Sequence, residues 1–248
     1  MTQTLEGKVA VITGGAGGFG KAIAKDFVGN GAQVVILDVT REAGETTADE
    51  IGVTFELCDV TRKVDWERVI AAVDAKYGKI DIVVNNAGTT YANKPTTEVT
   101  EADFDKVFDV NVKSIYHSTM TIVPYMKSKA LGGSFVNIAS TAGIRPRPGL
   151  TWYNASKAAV ITATKTMAVE YASDNIRFNS VCPVVSLNTG LSSMFLGGAE
   201  NEQKFTSTIP LGRGASPEDV ANTCVFLCSQ RASFLTGIDV PVDGGRCV

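Results

Sequence analysis

Short apolar runs alternate along the chain with longer stretches in which apolar residues recur every three or four positions. Segments 8–13, 33–38, 53–58, 80–85, 133–140 and 175–182 are rich in Val and Ile and predict strands, and 239–243 predicts a last one. Residues 80–84 are almost continuously apolar, as a strand covered on both faces requires. Between these runs, helical patterns open near Gly18, Arg41, Lys63, Glu101 and Trp152. Thr61 ahead of Arg62-Lys63-Val64, and Ser216 ahead of Pro217-Glu218-Asp219, look like capping hydroxyls at helix starts. Strand and helix in alternation predict a doubly wound parallel sheet of seven strands with helices on both faces, an α/β fold of the Rossmann type. No repeat, low-complexity tract or Pro-rich linker divides the chain, so residues 1–248 are expected to form one domain. One segment departs from the alternation. Residues 184–214 hold five glycines, many Ser and Thr, and little periodicity, the character of a long loop that covers a binding site.

Composition narrows the picture. Of the 248 residues, 44 % are hydrophobic and 20 % charged, as in a water-soluble protein with a sizeable core. The net charge of −3 gives no electrostatic case for nucleic acid or an anionic membrane as partner. No apolar run approaches the roughly 20 residues that span a bilayer, and residues 1–8 are too polar for a signal peptide. A cytoplasmic location is the expectation. The five cysteines, at 58, 182, 224, 228 and 247, are odd in number and follow no disulfide framework. A single histidine, His117, cannot complete the roughly four ligands of a structural zinc site, so the thiols read as buried small hydrophobes and no metal is expected.

The first candidate chemistry follows the first strand. Thr13-Gly14-Gly15-Ala16-Gly17-Gly18-Phe19-Gly20 joins that strand to a helical segment, which can present backbone N–H groups and a helix N-terminus to a pyrophosphate. The glycines allow two registers: Gly15, Gly17 and Gly20, or Gly14, Gly18 and Gly20. A glycine-rich turn with no ligand is the bland alternative. Asp38 ends the next strand, 18 residues after Gly20, where a carboxylate can accept both hydroxyls of an adenosine ribose and repel a 2′-phosphate. Gly17 precedes Gly18 where a Lys or Arg would be needed to neutralise that phosphate, so NAD is expected over NADP.

The second lies midway along. Tyr153 and Lys157 are four apart and share a face if the segment is helical. A nearby ammonium lowers the pKa of a phenol toward the range useful for proton transfer, though a Tyr-x-x-x-Lys alone is more often plain helix surface. Ser140, at the end of an apolar strand, can hold a substrate oxygen.

Taken together, the Thr13–Gly20 loop, Asp59, Asn85-Asn86-Ala87-Gly88, Asn111, Ser140 and Tyr153-Asn154-Ala155-Ser156-Lys157, in this order and spacing, resemble the short-chain dehydrogenase/reductase family. The resemblance extends from Lys8 to Asp243-Gly244-Gly245 and to the single-domain branch of about 250 residues. It implies hydride exchange with NAD at a secondary alcohol or ketone, possible substrates being polyols, sugars or cyclic alcohols. By the same resemblance Tyr153 would be the general acid/base, Lys157 would lower its pKa and bind the nicotinamide ribose, and Ser140 would orient the substrate oxygen. Asn111 would hold a relay water. Gly14, Gly17, Gly18, Phe19 and Gly20 would cradle the pyrophosphate, Asp59 and Val60 would border the adenine, and Asn86, Ala87 and Gly88 would support the middle of the cofactor. The family's usual Pro-Gly after the sixth strand is Pro183-Val184 here, so Pro183 and Thr189 (or Asn188) stand for the carboxamide contacts in an unsettled register. A homotetramer or homodimer is implied as well, with residues 243–248 reaching toward a neighbouring active site.

Other residues and readings remain. Arg145 and Arg147 lie between Ser140 and Tyr153 and can either bind an anion or sugar hydroxyl, or stand exposed in a Pro-rich loop. Tyr91, Trp152 and Phe195 suit either a substrate wall or core packing, whereas His117 suits a satisfied helix position. A 3-oxoacyl-thioester reductase of the same family is the alternative enzyme; Asp38 and the acidic balance weigh against its usual NADPH and its acidic carrier protein. A non-catalytic NAD sensor is the alternative outside catalysis, opposed by the retained Asn111, Ser140, Tyr153 and Lys157.

Overall fold

A computed structural model of the chain describes residues 4–187, 192–196 and 199–248. Seven parallel strands form one sheet in the order β3-β2-β1-β4-β5-β6-β7: β1 Val9–Thr13, β2 Gln33–Asp38, β3 Thr54–Leu57, β4 Ile82–Asn85, β5 Gly133–Ile138, β6 Ile176–Pro183 and β7 Asp239–Val242. The helices are α1 Gly18–Gly29, α2 Arg41–Ile51, α3 Lys63–Tyr77, α4 Glu101–Phe108, α5 Ser114–Ser128, α6 Thr151–Glu170, α7 Ser192–Leu196, α8 Ala199–Thr206 and α9 Pro217–Cys228. All seven expected strands are present, trimmed or extended by a few residues at their ends. Asn175, expected in β6, turns instead with φ 57, and Ser140 leaves β5 in extended geometry to receive the Ala142 N–H.

The sheet separates two cores because successive side chains of a strand point to opposite faces. Ala10 and Ile12 of β1 face α1 and α9, packing with Phe27, Ile36, Val84 and Leu227. Val9 and Val11 face α3 and α5, packing with Trp66, Val83, Phe135 and Phe178, the last two rings stacked at 4.4 Å. Burial on both faces explains why β1 and β4 are apolar without alternation.

Two details differ from the expectation. Ser216 does cap α9, accepting from Asp219 N while the Asp219 carboxylate accepts from Ser216 N, with Pro217 in the first turn. Thr61 does not cap α3. Its hydroxyl donates to Asp59 Oδ1 at 2.7 Å, the helix starts one residue later, and Arg62 holds the cap position without a side-chain bond. The weakly periodic 184–214 segment is also no plain loop, since α7 and α8 lie within it and Leu196, Phe205 and Ile209 bury against Val184 and Ala215. Four of the five cysteines are buried, and Cys247 is half-buried.

Candidate active site

The strand order reverses beside β1, where β2 lies on one side and β4 on the other. Loops leaving the carboxyl ends of parallel strands diverge at such a point and open a crevice. A cavity of about 400 Å³ occupies it, lined from the glycine loop to the start of α6.

At one end, the structure decides between the two glycine registers. Gly14 has φ 63, and a Cβ there would meet Asn86 Nδ2 at 3.0 Å; a Cβ on Gly20 would stand 2.1 Å from Gly14 O; Gly18 has φ 52. Gly17 has extended backbone and open space around its missing Cβ. A Cβ on Gly15 would stand 2.5 Å from Ile36 Cβ, so Gly15 is required as well. What separates the registers is that Gly14, Gly18 and Gly20 are all demanded by the fold while Gly17 is not, and the open face of Gly17 borders the cavity together with Phe19. The loop is fixed from both sides. Gly15 N donates to Leu37 O, and Ala16 N donates to Asp38 Oδ2 at 3.2 Å. Thr13 Oγ1 accepts from both Asn86 N and Ala87 N, and Asn86 Nδ2 donates to Thr13 O and Gly14 O. Thr13 was not singled out for a role in the sequence; a Thr directly before a glycine run is the signal that could have found it.

At the other end, α6 carries the candidate side chains Tyr153 and Lys157. A buried relay of amides sets its depth: Asn85 Nδ2 donates to Asn137 Oδ1, and Asn137 Nδ2 donates to Thr164 Oγ1, each at 2.8 Å, linking β4, β5 and α6. Tyr153 and Lys157 then face the cavity from one side of α6, with Tyr153 hydrogen-bonded to the Ser140 side chain. Burial pushes the Tyr153 phenol up to about 12, against the pull of that hydrogen bond and of the Arg147 charge. Lys157 Nζ donates to Ile138 O at 2.8 Å and lies 6.0 Å from the Tyr153 ring centre; burial brings it down to about 8. Arg147 thus adds a second positive charge near the phenol, while the Lys157 ammonium beside the Tyr153 ring donates to a backbone carbonyl.

Asn111 is buried in a π-helical turn, Asp109–Lys113, between α4 and α5. Its Oδ1 accepts from Thr89 N, and its Nδ2 donates to Thr89 O and Ser156 Oγ. Its amide thus pins the exit of β4, while Gly88 stands between it and the cavity: a Cβ there would lie 3.4 Å from both Asn111 Oδ1 and Lys157 Nζ.

The cavity lining gathers Gly14, Gly17, Gly18, Phe19, Asn86, Ala87, Gly88, Ser140, Tyr153, Lys157 and Pro183. Gly20, Asp38, Asp59, Val60 and Asn111 lie outside it. Asp38 ends β2 beside the glycine loop, and Asp59 follows β3 with its carboxylate accepting from Thr61 N and Oγ1. Val60 is buried, its carbonyl receiving the Trp66 indole N–H. Thr189 falls outside the described residues. Phe195 lines the cavity 5.0 Å from the Tyr153 ring, while Trp152 and Tyr91 pack beside it, Trp152 N donating to Tyr91 Oη. Arg147 and Phe205 line the cavity, and Arg246 packs on Phe205 of its own chain.

Among the described residues no helix is long and apolar enough to cross a membrane. A glycine-looped crevice at the switch point and a Tyr–Lys pair beside it define the class, an oxidoreductase that works with a nicotinamide cofactor. The comparisons agree. The family model described as Enoyl-(Acyl carrier protein) reductase matches residues 14–246. The chain is 44 % identical to 4-formylbenzenesulfonate dehydrogenase of Comamonas testosteroni, over 98 % of this chain and 99 % of that protein. It is 40 % identical to a 3-oxoacyl-(acyl-carrier-protein) reductase of Thermotoga maritima, again over 98 % and 99 %. The crystal structure of 3-ketoacyl-(acyl-carrier-protein) reductase from Brucella melitensis complexed with NADH superposes with a TM-score of 0.92 at 39 % identity, covering 98 % of this chain and 100 % of that one. The chain belongs to the short-chain dehydrogenase/reductase family.

Proposed function

We propose that this protein is an NAD(H)-dependent oxidoreductase that interconverts a secondary alcohol and a ketone. The observation that carries the reading is the buried Tyr153–Ser140 contact at the end of a cavity whose other end is the glycine loop. The open space at Gly17 and Gly18 fits a pyrophosphate against the α1 N-terminus. A bound nicotinamide would supply the hydride chemistry, as acceptor from a carbinol carbon or donor to a carbonyl carbon. Tyr153 holds the proton exchanged with the substrate oxygen; at neutral pH its raised pKa keeps it protonated and ready to donate to a carbonyl. Ser140 fixes that oxygen beside the phenol, and Lys157, one turn along α6 from Tyr153, would hold the ribose next to the nicotinamide and adds a positive charge that favours phenolate in the oxidative direction. Asp38 selects NAD: its carboxylate ends β2 beside the loop, and Arg41, the next basic residue, is turned to Glu45 at 3.2 Å. The described part of residues 184–214 serves as the substrate lid of one catalytic domain, with Phe195 and Phe205 on the cavity wall.

The Thermotoga and Brucella relatives favour a second reading, reduction of a 3-oxoacyl thioester. One assay separates them. Reduced nicotinamide is followed by absorbance with NAD or NADP against secondary alcohols, ketones and a 3-oxoacyl thioester, with Tyr153→Phe in parallel. Turnover of simple alcohols with NAD that drops by about 10³ in Tyr153→Phe is expected. Preference for the thioester with NADPH selects the second reading, and activity that survives in the variant removes Tyr153 from the chemistry.

A further inference from the structure

Arg147 lines the cavity and Arg246 packs behind the cavity wall, and neither is ion-paired to a carboxylate among the described residues. Arg147 is held firmly: Pro146 and Pro148 flank it, and Asn154, the neighbour of Tyr153 on α6, donates its side-chain N–H to Arg147 O at 2.8 Å. Its guanidinium lies 4.4 Å from the centre of the Phe205 ring on the cavity wall. Arg246 lies 4.7 Å from the same ring, is only 8 % exposed, and buries an Nη1 with no hydrogen-bond partner.

Two guanidinium groups on one ring repel each other, and burial lowers the pKa of both. Neither forms an ion pair with an acid among the described residues. The nearest acid to Arg246, Asp243, spends its oxygens on Gly245 N and Cys247 N. No Asp or Glu of the described residues lines the cavity. Burying charge in this way costs free energy unless a counter-charge arrives, and an anionic ligand in the cavity would supply one. The cofactor's pyrophosphate is not that source, because its cradle is the β1–α1 loop, whereas Arg147 comes from the β5–α6 connection beside Tyr153. Arg147 and Tyr153 share the cavity with the apolar side chains of Leu150, Phe195 and Phe205.

We propose that the substrate is an anionic alcohol or ketone, with a carboxylate or sulfonate received by Arg147, an apolar body along the Phe195–Phe205 wall, and the reacting carbon at Tyr153 and Ser140. The inference rests on the oxidoreductase reading above and deepens it. Arg246 acts through the shared Phe205 ring and through its charge, as a positioning residue.

The test compares four ketones of similar size, 4-acetylbenzoate, 3-acetylbenzoate, 4-acetylbenzenesulfonate and the neutral 4-acetylbenzamide. In each reduction NADH gives a hydride to the carbonyl carbon, a proton joins the oxygen, and NAD and a secondary alcohol leave. Wild type, Arg147→Lys and Arg147→Gln are assayed for turnover, and binding of each ketone to the protein–NADH complex is followed by calorimetry. NADH affinity, read from its fluorescence, reports that each variant has folded.

At least one anionic ketone is expected to exceed the amide in kcat/KM by about tenfold or more, mainly through KM. Arg147→Gln should erase that ratio and Arg147→Lys should keep part of it. The carboxylate and sulfonate arms decide which anion the site prefers. Binding of an anion that depends on Arg147, without turnover of any ketone, upholds the anion site and breaks the oxidoreductase reading. Equal turnover of amide and anions, with no change of ratio in Arg147→Gln, overturns the anion site and leaves the redox reading standing. Failure of every anion to bind also overturns it.

Discussion

The two ends of the cavity are built by different means. At the glycine loop the backbone does the shaping: Gly20 leaves 2.1 Å between its missing Cβ and Gly14 O, and Thr13 and Asn86 lace the loop to β4 through main-chain groups. At the substrate end the backbone is ordinary helix and turn, and side chains supply everything, including a buried phenol, a buried ammonium and two guanidinium groups on one ring. Filling a tight Cβ position at the first end should therefore damage the fold and the proposed cofactor site together. Changes at the second should damage function while sparing the fold or even relieving it.

The largest effect tests that contrast directly. Lys157→Met is expected to lower kcat/KM by about 10³, because it removes a charge beside the reacting phenol. Stability should move the other way. The folded pKa of Lys157, about 8, is below the ordinary lysine value of 10.5, so between these pH values the unfolded chain binds more protons than the folded one. Stability then rises with pH through that window, and the full cost of the buried ammonium is present below pH 8. The difference between wild type and Lys157→Met in urea denaturation should show this slope, with the variant gaining most below pH 8. A variant less stable at every pH would mean that the bond to Ile138 O outweighs the burial.

A smaller effect belongs to the glycines. Gly20→Ala forces a methyl into Gly14 O and should cost about 1–3 kcal/mol of stability with or without NADH. Gly17→Ala meets nothing within 4 Å, so it should melt like wild type alone and lose the stabilisation that NADH confers. Thermal melts of both variants, with and without NADH, distinguish the two; equal melts for both would erase the register argued from the Cβ contacts.

The same contrast explains what could be read without coordinates. The sheet was legible because burial on both faces makes β1 and β4 continuously apolar, and the glycine run between β1 and α1 was legible as a run. The choice of register was not, since it depends on Asn86 approaching Gly14 from another element, on Gly14 O folding back on Gly20, and on nothing approaching Gly17. Arg147 could be suspected from its place before Tyr153, but Phe205 and Arg246 join it from 58 and 99 residues further along the chain, a meeting that no local pattern records. Thr61 failed as a cap for a related reason: Asp59 competes for its hydroxyl, and side-chain turns of this kind are in direct competition with capping.

Asp38 sits between the two cases, a side chain serving the backbone end. Its Oδ2 accepts from Ala16 N and its Oδ1 from Thr40 N. Asp38→Asn should shift the ratio of kcat/KM for NAD over NADP by about tenfold toward NADP, by removing the charge opposed to a 2′-phosphate. An unchanged ratio with a loosened loop would assign Asp38 to holding Ala16 alone.

The smallest effect reads the field that one end places on the chemistry. The Arg147 charge favours the phenolate of Tyr153, so removing it raises the phenol's pKa. Oxidation of a neutral alcohol needs Tyr153 to accept a proton, and its rate should climb with pH to a plateau. In Arg147→Gln the midpoint of that climb should move to higher pH by a few tenths of a unit, the size expected for one charge acting through a partly solvated cavity. Reduction of a neutral ketone needs the protonated phenol, so its alkaline decline should move upward by the same amount. Using neutral substrates keeps anion binding out of the measurement. A shift common to both directions locates the charge effect on Tyr153 itself; a midpoint that stays fixed, or falls, would confine Arg147 to holding substrate.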